Sequence, residues 1–266
     1  MPTHASRRGL AAAELAQFER DGYLLIPDLF DPAELQPLIR EIEEVIDQQA
    51  ARLLAEGLIT DPFEGEGFLT RLTRLTAQSD KVYWALAGGQ HCGRQMFELI
   101  RHPRLLDVAE ALLGPEIVAS AAYRIRPKVP GFDHGVVPWH QDSGYFEATC
   151  DRSLILTVWM PLVNATPENG CLQVIPGMQR GPVVTHHRRA GANYLRIADE
   201  DLWLEQTVTV PVPLGGVLLL SNRTPHCSTP NTTDEVRWSV DIRYQGTDAP
   251  SPALPAELGA EALARA

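Results

Sequence analysis

Apolar positions recur along this chain at two different periods, and the change falls near residue 115. Up to that point the spacing of three and four predicts helices. The clearest begins at Asp31. Asp31 is a capping residue, Pro32 suits the first helical position, and Glu34 completes a capping-box pattern. Leu35, Leu38, Ile39, Ile42 and Ile46 then make one apolar stripe, and Gly57 offers a stop. Residues 94–113 are expected to form two short helices broken near His102-Pro103.

From about Glu116 the period becomes two. Strands are expected over 117–126, 154–161, 171–175, 207–212, 217–221 and 236–244. Turn formers separate them, among them Glu168-Asn169-Gly170, Pro176-Gly177, Gly215-Gly216 and Pro230-Asn231. Pro211 and Pro213 argue for a strand that lies at an edge or is short. Many short strands after a helical segment predict a β-sandwich or barrel with helices packed outside. The expected organisation is a single domain over 1–266. It has a helical part at about 10–114, a β core at about 115–246 and a Pro- and Ala-rich peripheral tail over 247–266, with room for a short terminal helix. Residues 179–205 have weak periodicity and read as a lid, a substrate loop or merely a stretch whose pattern is poorly legible.

Charge narrows the function classes. With 23 Lys and Arg against 34 Asp and Glu, the formal net charge is −11. An acidic surface repels phosphate backbones and anionic lipid, so neither nucleic acid nor a membrane is expected as a partner. No apolar run approaches the roughly 20 residues of a membrane span, and the N-terminus lacks the apolar stretch of a signal peptide. A cytoplasmic protein, monomeric or homodimeric, is expected. Cys92, Cys150, Cys171 and Cys227 are widely spaced and form no CxxC pair, so reduced thiols are expected.

The sharpest local feature is Trp139-His140-Gln141-Asp142. Positions i and i+2 of a strand share a face, so His140 and Asp142 can reach one metal ion while Gln141 points away. His226, after the apolar strand at 217–221, is the best third ligand; His134, His186, His187 and His91 are alternatives. Two histidines and one carboxylate on one side of an ion leave positions open, the arrangement of non-haem Fe(II) oxygenases. An HxD pair alone is also common as a surface pair or a structural hydrogen bond.

The last expected strand alternates cleanly. Val236, Trp238, Val240, Ile242 and Tyr244 take one face, and Arg237, Ser239, Asp241 and Arg243 take the other. Buried, such a polar face needs a partner for its charge, and a dicarboxylate gripped by Arg237, with the Ser228 hydroxyl beside it, supplies one. On an outer face the same residues form a solvated ion-pair ladder. Arg124, Arg126 and Lys128 alternate in the same way, with no indication of which one faces a pocket.

Taken in order, Phe18-Glu19-Arg20-Asp21-Gly22-Tyr23-Leu24, Pro138-Trp139-His140-Gln141-Asp142, Trp159, Glu168-Asn169-Gly170-Cys171-Leu172, Ile175-Pro176-Gly177, His226-Cys227-Ser228 and Arg237 resemble the phytanoyl-CoA dioxygenase family of 2-oxoglutarate-dependent oxygenases. The resemblance covers roughly residues 15–246. It implies a double-stranded β-helix, or jelly roll. It also implies Fe(II) held by His140, Asp142 and His226, with 2-oxoglutarate anchored by Arg237 and Ser228 beside Trp159. Met178-Gln179 stand where the family usually has Ser-His, which puts substrate contacts there in doubt. Related halogenases replace the carboxylate ligand with a small residue, so Asp142 favours oxygenation.

By the same resemblance, O₂ and 2-oxoglutarate are consumed, succinate and CO₂ are released, and a small-molecule metabolite is hydroxylated. Desaturation, epimerisation or cyclisation is the alternative outcome. A Zn(II) hydrolase on the same ligands and a non-catalytic jelly-roll binding protein are the competing classes. Tyr145, Phe146, Met178, Arg188 and Trp203 are candidate substrate walls.

Overall fold

A computed structural model describes residues 9–88, 93–121, 123–188 and 192–249. His91, Cys92 and most of the tail, including any terminal helix, lie outside the described residues.

The helical half forms largely as its pattern dictates. Helix α1 (Ala12–Asp21) leads into a strand, β1 (Tyr23–Ile26). Asp31 caps as expected: its side chain accepts from Ala33 N, and the Glu34 carboxylate accepts from Asp31 N. The first turn, Pro32–Leu35, is 3₁₀, and α2 (Gln36–Ala55) follows it. Then come α3 (Arg71–Gln78), α4 (Lys81–Ala87), α5 (Arg94–Ile100) and α6 (Pro103–Leu113), the last two broken at His102-Pro103.

The β half contains β2 (Ile117–Ala119), β3 (Arg124–Lys128), β4 (Ile155–Pro161), β5 (Leu172–Val174), β6 (His186–Arg188), β7 (Leu195–Ile197), β8 (Val208–Val210), β9 (Val217–Ser221), β10 (His226–Ser228) and β11 (Arg237–Gly246). All paired strands are antiparallel. The larger sheet runs β1-β9-β4-β11-β2, with β3 also on β11, and the smaller runs β10-β5-β8. Strand β8, beside Pro211, lies at an edge as expected.

Two expectations are corrected. Tyr23–Ile26, within the region read as helical, is a strand paired with β9, because Leu24 and Ile26 complete the core there. The single strand expected over 117–126 is two. Segments β2 and β3 pair with different ends of β11, at Tyr244–Gly246 and Arg237–Asp241. Residues 179–205, whose weak periodicity left their structure open, contain the antiparallel pair β6 and β7, which places His186.

Two apolar layers explain the sandwich. Strands β4 and β9 are buried on both faces. Their outer residues (Leu156, Val158, Met160, Val217, Leu219) pack under helical residues such as Ile42, Leu86 and Val108. Their inner residues (Trp159, Leu218, Leu220) meet Leu172, Val174 and Val210 of the smaller sheet. Strand β11 is wholly buried too, but only its outer face is apolar. Its inner face keeps Arg237, Ser239, Asp241 and Arg243, so the space between the sheets becomes a polar pocket at that end.

Candidate metal centre and cosubstrate pocket

His140 and His226 face each other across a one-residue antiparallel bridge, with both backbone hydrogen bonds formed. The strand expected through Asp142 ends at that bridge: Asp142 begins a 3₁₀ turn, Asp142–Tyr145. Gly144 lets this turn sit on the His186 ring, since a Cβ there would meet ring atoms at 2.5 Å. His186 in turn accepts from Gln141 N through Nε2, at 2.9 Å. Gln141 points away from the site, bonded to Arg223 O and Val184 N. His186 is thus a brace for the HxD segment, and His187 is exposed.

Among the described residues, His140, Asp142 and His226 form the one group of metal-ligating side chains close enough to share an ion. Their ligand atoms lie within 4.8 Å of one another, and all three are buried. The donor chemistry fits a divalent metal. His140 Nδ1 lies 2.9 Å from Pro138 O, and His226 Nδ1 lies 2.9 Å from Thr224 O. A carbonyl only accepts, so each Nδ1 carries its proton and each Nε2 keeps a lone pair for a metal. Burial, then the neighbouring His226, hold the His140 pKa well below its ordinary value, which favours the neutral, ligating ring. Burial works to raise the Asp142 pKa, but Arg243 and the histidines outweigh it and hold the carboxylate ionised. Arg243 contacts both carboxylate oxygens at 3.2 and 3.3 Å, and Thr157 Oγ1 donates to Oδ2 at 2.6 Å.

The cavity beside the triad is about 600 Å³, open to solvent, and lined in part by Trp159, Ser228, Arg237 and Lys128. The Arg237 guanidinium lies 5.3 Å from the Trp159 ring centroid. One of its nitrogens donates to Ser239 Oγ, while its Nε is a buried donor without a partner. An orphaned buried donor is costly, which marks a place for an anionic ligand. Burial lowers the Arg237 pKa to about 10.

The Ser228 hydroxyl is already engaged. It accepts from Lys128 Nζ at 2.7 Å and from Val137 N at 3.1 Å. Lys128 is the residue that sequence reasoning left unassigned. It is 1% exposed, and burial, then the nearby Arg237, lower its pKa to about 6. Its room comes from Gly170 of the Glu168-Asn169-Gly170 turn, where a Cβ would meet Lys128 Cδ at 2.6 Å. Alternation with Arg124 and Arg126 was the available signal, but only the pairing of Lys128 with Arg237 separates it from them.

Of the candidate walls, Tyr145 and Phe146 line a second cavity next to the triad. Met178 is buried with Ile175 and Ile197, and Gln179 donates to Glu19 O and Arg20 O. The departure from the family pattern therefore ties a loop to α1. Arg188 and Trp203 are exposed. Cys150, Cys171 and Cys227 are buried free thiols.

A facing pair of sheets encloses a buried His-Asp-His triad and an arginine with an unpartnered donor in one pocket, and the relatives of the chain define its class. It is the class of 2-oxoglutarate-dependent non-haem iron dioxygenases. The chain belongs to the phytanoyl-CoA dioxygenase (PhyH) family, whose profile it matches over residues 18–239. It is 31% identical to an ectoine dioxygenase of Sphingopyxis alaskensis over 173 residues, 64% of this chain and half the length of that protein. It is 25% identical to the phytanoyl-CoA dioxygenase domain-containing protein 1 of Bos taurus over 295 aligned positions, 92% of this chain and 97% of the bovine one. In fold it is similar to the epimerase SnoN, solved with Fe3+, alpha ketoglutarate and nogalamycin RO. There the TM-score is 0.59 at 24% identity, covering 91% of this chain and 86% of that one. No helix among the described residues is long and apolar enough to cross a membrane.

Proposed function

We propose that this chain is a cytoplasmic, single-domain Fe(II)- and 2-oxoglutarate-dependent dioxygenase on a double-stranded β-helix. It hydroxylates a small-molecule metabolite while 2-oxoglutarate and O₂ become succinate and CO₂. The observation that carries this reading is the orphaned Arg237 Nε in the same pocket as the His140–Asp142–His226 triad.

His140 and His226 present Nε2, and Asp142 a carboxylate oxygen, to the metal. Bound there, Fe(II) supplies the chemistry that activates O₂ and decarboxylates the cosubstrate. The chain supplies position. Arg237 grips the far carboxylate of 2-oxoglutarate with its unpartnered donor, and the Lys128 amine, its pKa lowered by burial, becomes a second cationic donor as the carboxylate arrives beside it. Ser228 orients Lys128 and keeps its own O–H to donate to the cosubstrate carboxylate, and Trp159 supports the Arg237 guanidinium from its ring face. Arg243 and Thr157 fix the carboxylate of Asp142, so no side chain need move a proton during the oxidation. Trp159 of β4 and Leu220 of β9 give the cosubstrate end its apolar wall.

The deciding experiment incubates the purified chain with Fe(II), 2-oxoglutarate and O₂ and follows succinate with and without candidate metabolites. Metal-dependent succinate release that a substrate stimulates is the expected result. No 2-oxoglutarate consumption with Fe(II), but ester or amide hydrolysis with Zn(II), would replace this reading with the hydrolase. Product mass separates hydroxylation from desaturation, epimerisation and cyclisation.

A further inference from the structure

The cosubstrate end of the pocket uses only part of the charge on its polar face. Arg124, Arg126 and Lys128 alternate along β3 and so share one face. At about 3.3 Å per residue, Arg124 and Lys128 stand about 13 Å apart. A five-carbon dicarboxylate spans only about 6 Å, from bond lengths near 1.5 Å. One molecule of 2-oxoglutarate held at Lys128 and Arg237 therefore leaves Arg124 untouched.

At that far end lies a second cavity of about 670 Å³, open to solvent, which reaches His140 and Asp142. It is lined by Arg124, Arg126, Arg243, Tyr145, Asn193 and Tyr194 among others. The side chains there leave positive charge unmatched. Asp241 takes Arg126 Nε at 2.9 Å and lies 3.9 Å from Arg243 Nη2. Asp142 takes Arg243 on one side and, in the proposed function, a divalent metal on the other. Arg124 makes a hydrogen bond to Tyr123 O, and among the described residues no carboxylate lies within ion-pair distance of it. Burial, then Arg126 and Arg243, push its pKa below the ordinary value. In a chain of net charge −11, three guanidiniums around one cavity are a local concentration rather than an echo of composition.

We propose that this outer cavity is the substrate subsite and that it selects a small organic oxyanion. The anionic group, a carboxylate or a phosphorus oxyanion, docks at Arg124 and Arg126. The body of the molecule lies along Tyr145 and Tyr194, which directs a C–H bond towards the triad. The inference rests on the proposed function, because it takes the triad as the reacting centre.

The test loads the full chain with Mn(II) and 2-oxoglutarate without oxygen, so that the inner site is filled. Calorimetry then follows inorganic phosphate, methylphosphonate and propionate, the last two each beside a neutral counterpart, dimethyl methylphosphonate and propionamide. The anions are expected to bind at least about tenfold more tightly than their neutral partners. Arg124→Gln is expected to weaken anion binding about tenfold and leave 2-oxoglutarate affinity in place, while Arg124→Lys recovers part of the loss. Arg237→Gln is expected to do the reverse. The stronger arm, carboxylate or phosphorus oxyanion, names the headgroup. No anion binding, equal binding of the neutral partners, or anion binding untouched in Arg124→Gln would each overturn the substrate class. Failure of 2-oxoglutarate itself to bind, or its indifference to Arg237→Gln, would instead strike at the proposed function.

Discussion

Both faces of β11 are buried, and their contents are opposite. Trp238, Val240, Ile242 and Tyr244 are 0% exposed, and Arg237, Ser239, Asp241 and Arg243 on the alternate positions are also buried. The outer face is finished within the chain: Trp238 stacks on Phe68 at 4.6 Å and donates to Phe68 O at 3.0 Å, and Tyr244 donates to Ile100 O. The inner face is left unfinished, with an orphaned guanidinium nitrogen and a lysine of lowered pKa opposite it. Burial by itself therefore does not separate a core from a site. What separates them is whether each buried polar atom finds its partner inside the chain.

The largest expected effect breaks the inner side of this contrast. His140→Ala or Asp142→Ala should reduce 2-oxoglutarate-dependent succinate release to background. That is beyond the roughly 10- to 100-fold cost of losing an outer-shell partner, and metal binding by equilibrium dialysis should fall with it. Coupled turnover surviving Asp142→Ala would remove the ligand assignment.

Next comes the outer side. Trp238→Ala should cost about 3–5 kcal/mol in urea unfolding, because a packed indole and its hydrogen bond are lost together. Below the unfolding transition, 2-oxoglutarate affinity should hold. A smaller stability loss would mean the core around Phe68 collapses into the space.

Arg237→Gln sharpens the contrast. It should weaken 2-oxoglutarate binding by about 10- to 100-fold, or about 1.4–2.8 kcal/mol, with Tm unchanged or raised, since a buried charge without a paired carboxylate is removed. A large drop in Tm would show that the inner face also holds the fold.

The smallest effect is a proton. Lys128 titrates near 6 in the folded chain against an ordinary 10.5. The unfolded chain then binds more protons between those values, so stability rises with pH across that window, and Lys128→Met should flatten the rise. A carboxylate brought beside the amine raises its pKa. Binding of 2-oxoglutarate near neutral pH should therefore take up a fraction of a proton, and affinity should fall as pH rises above about 6. Calorimetry in two buffers of different ionisation heat measures that fraction. No buffer dependence, or the same dependence in Lys128→Met, would place the carboxylate elsewhere.

Local chemistry made much of this legible in the sequence. The Asp31 cap, the break at His102-Pro103, the extent of β9 and the alternation of β11 depend on residues near one another in the chain, so spacing alone exposes them. The triad and Arg237 were nameable because their motifs are short and ordered. Tyr23–Ile26 was not, since a four-residue strand beside a helix is fixed only by its pairing with β9. The sequence likewise could not say whether the charged face of β11 meets water or a pocket, nor that Lys128 rather than Arg124 stands beside Arg237. Those answers belong to strand register and sheet closure, which bring together residues about a hundred positions apart. Periodicity tells which residues share a face; only packing tells what that face looks upon.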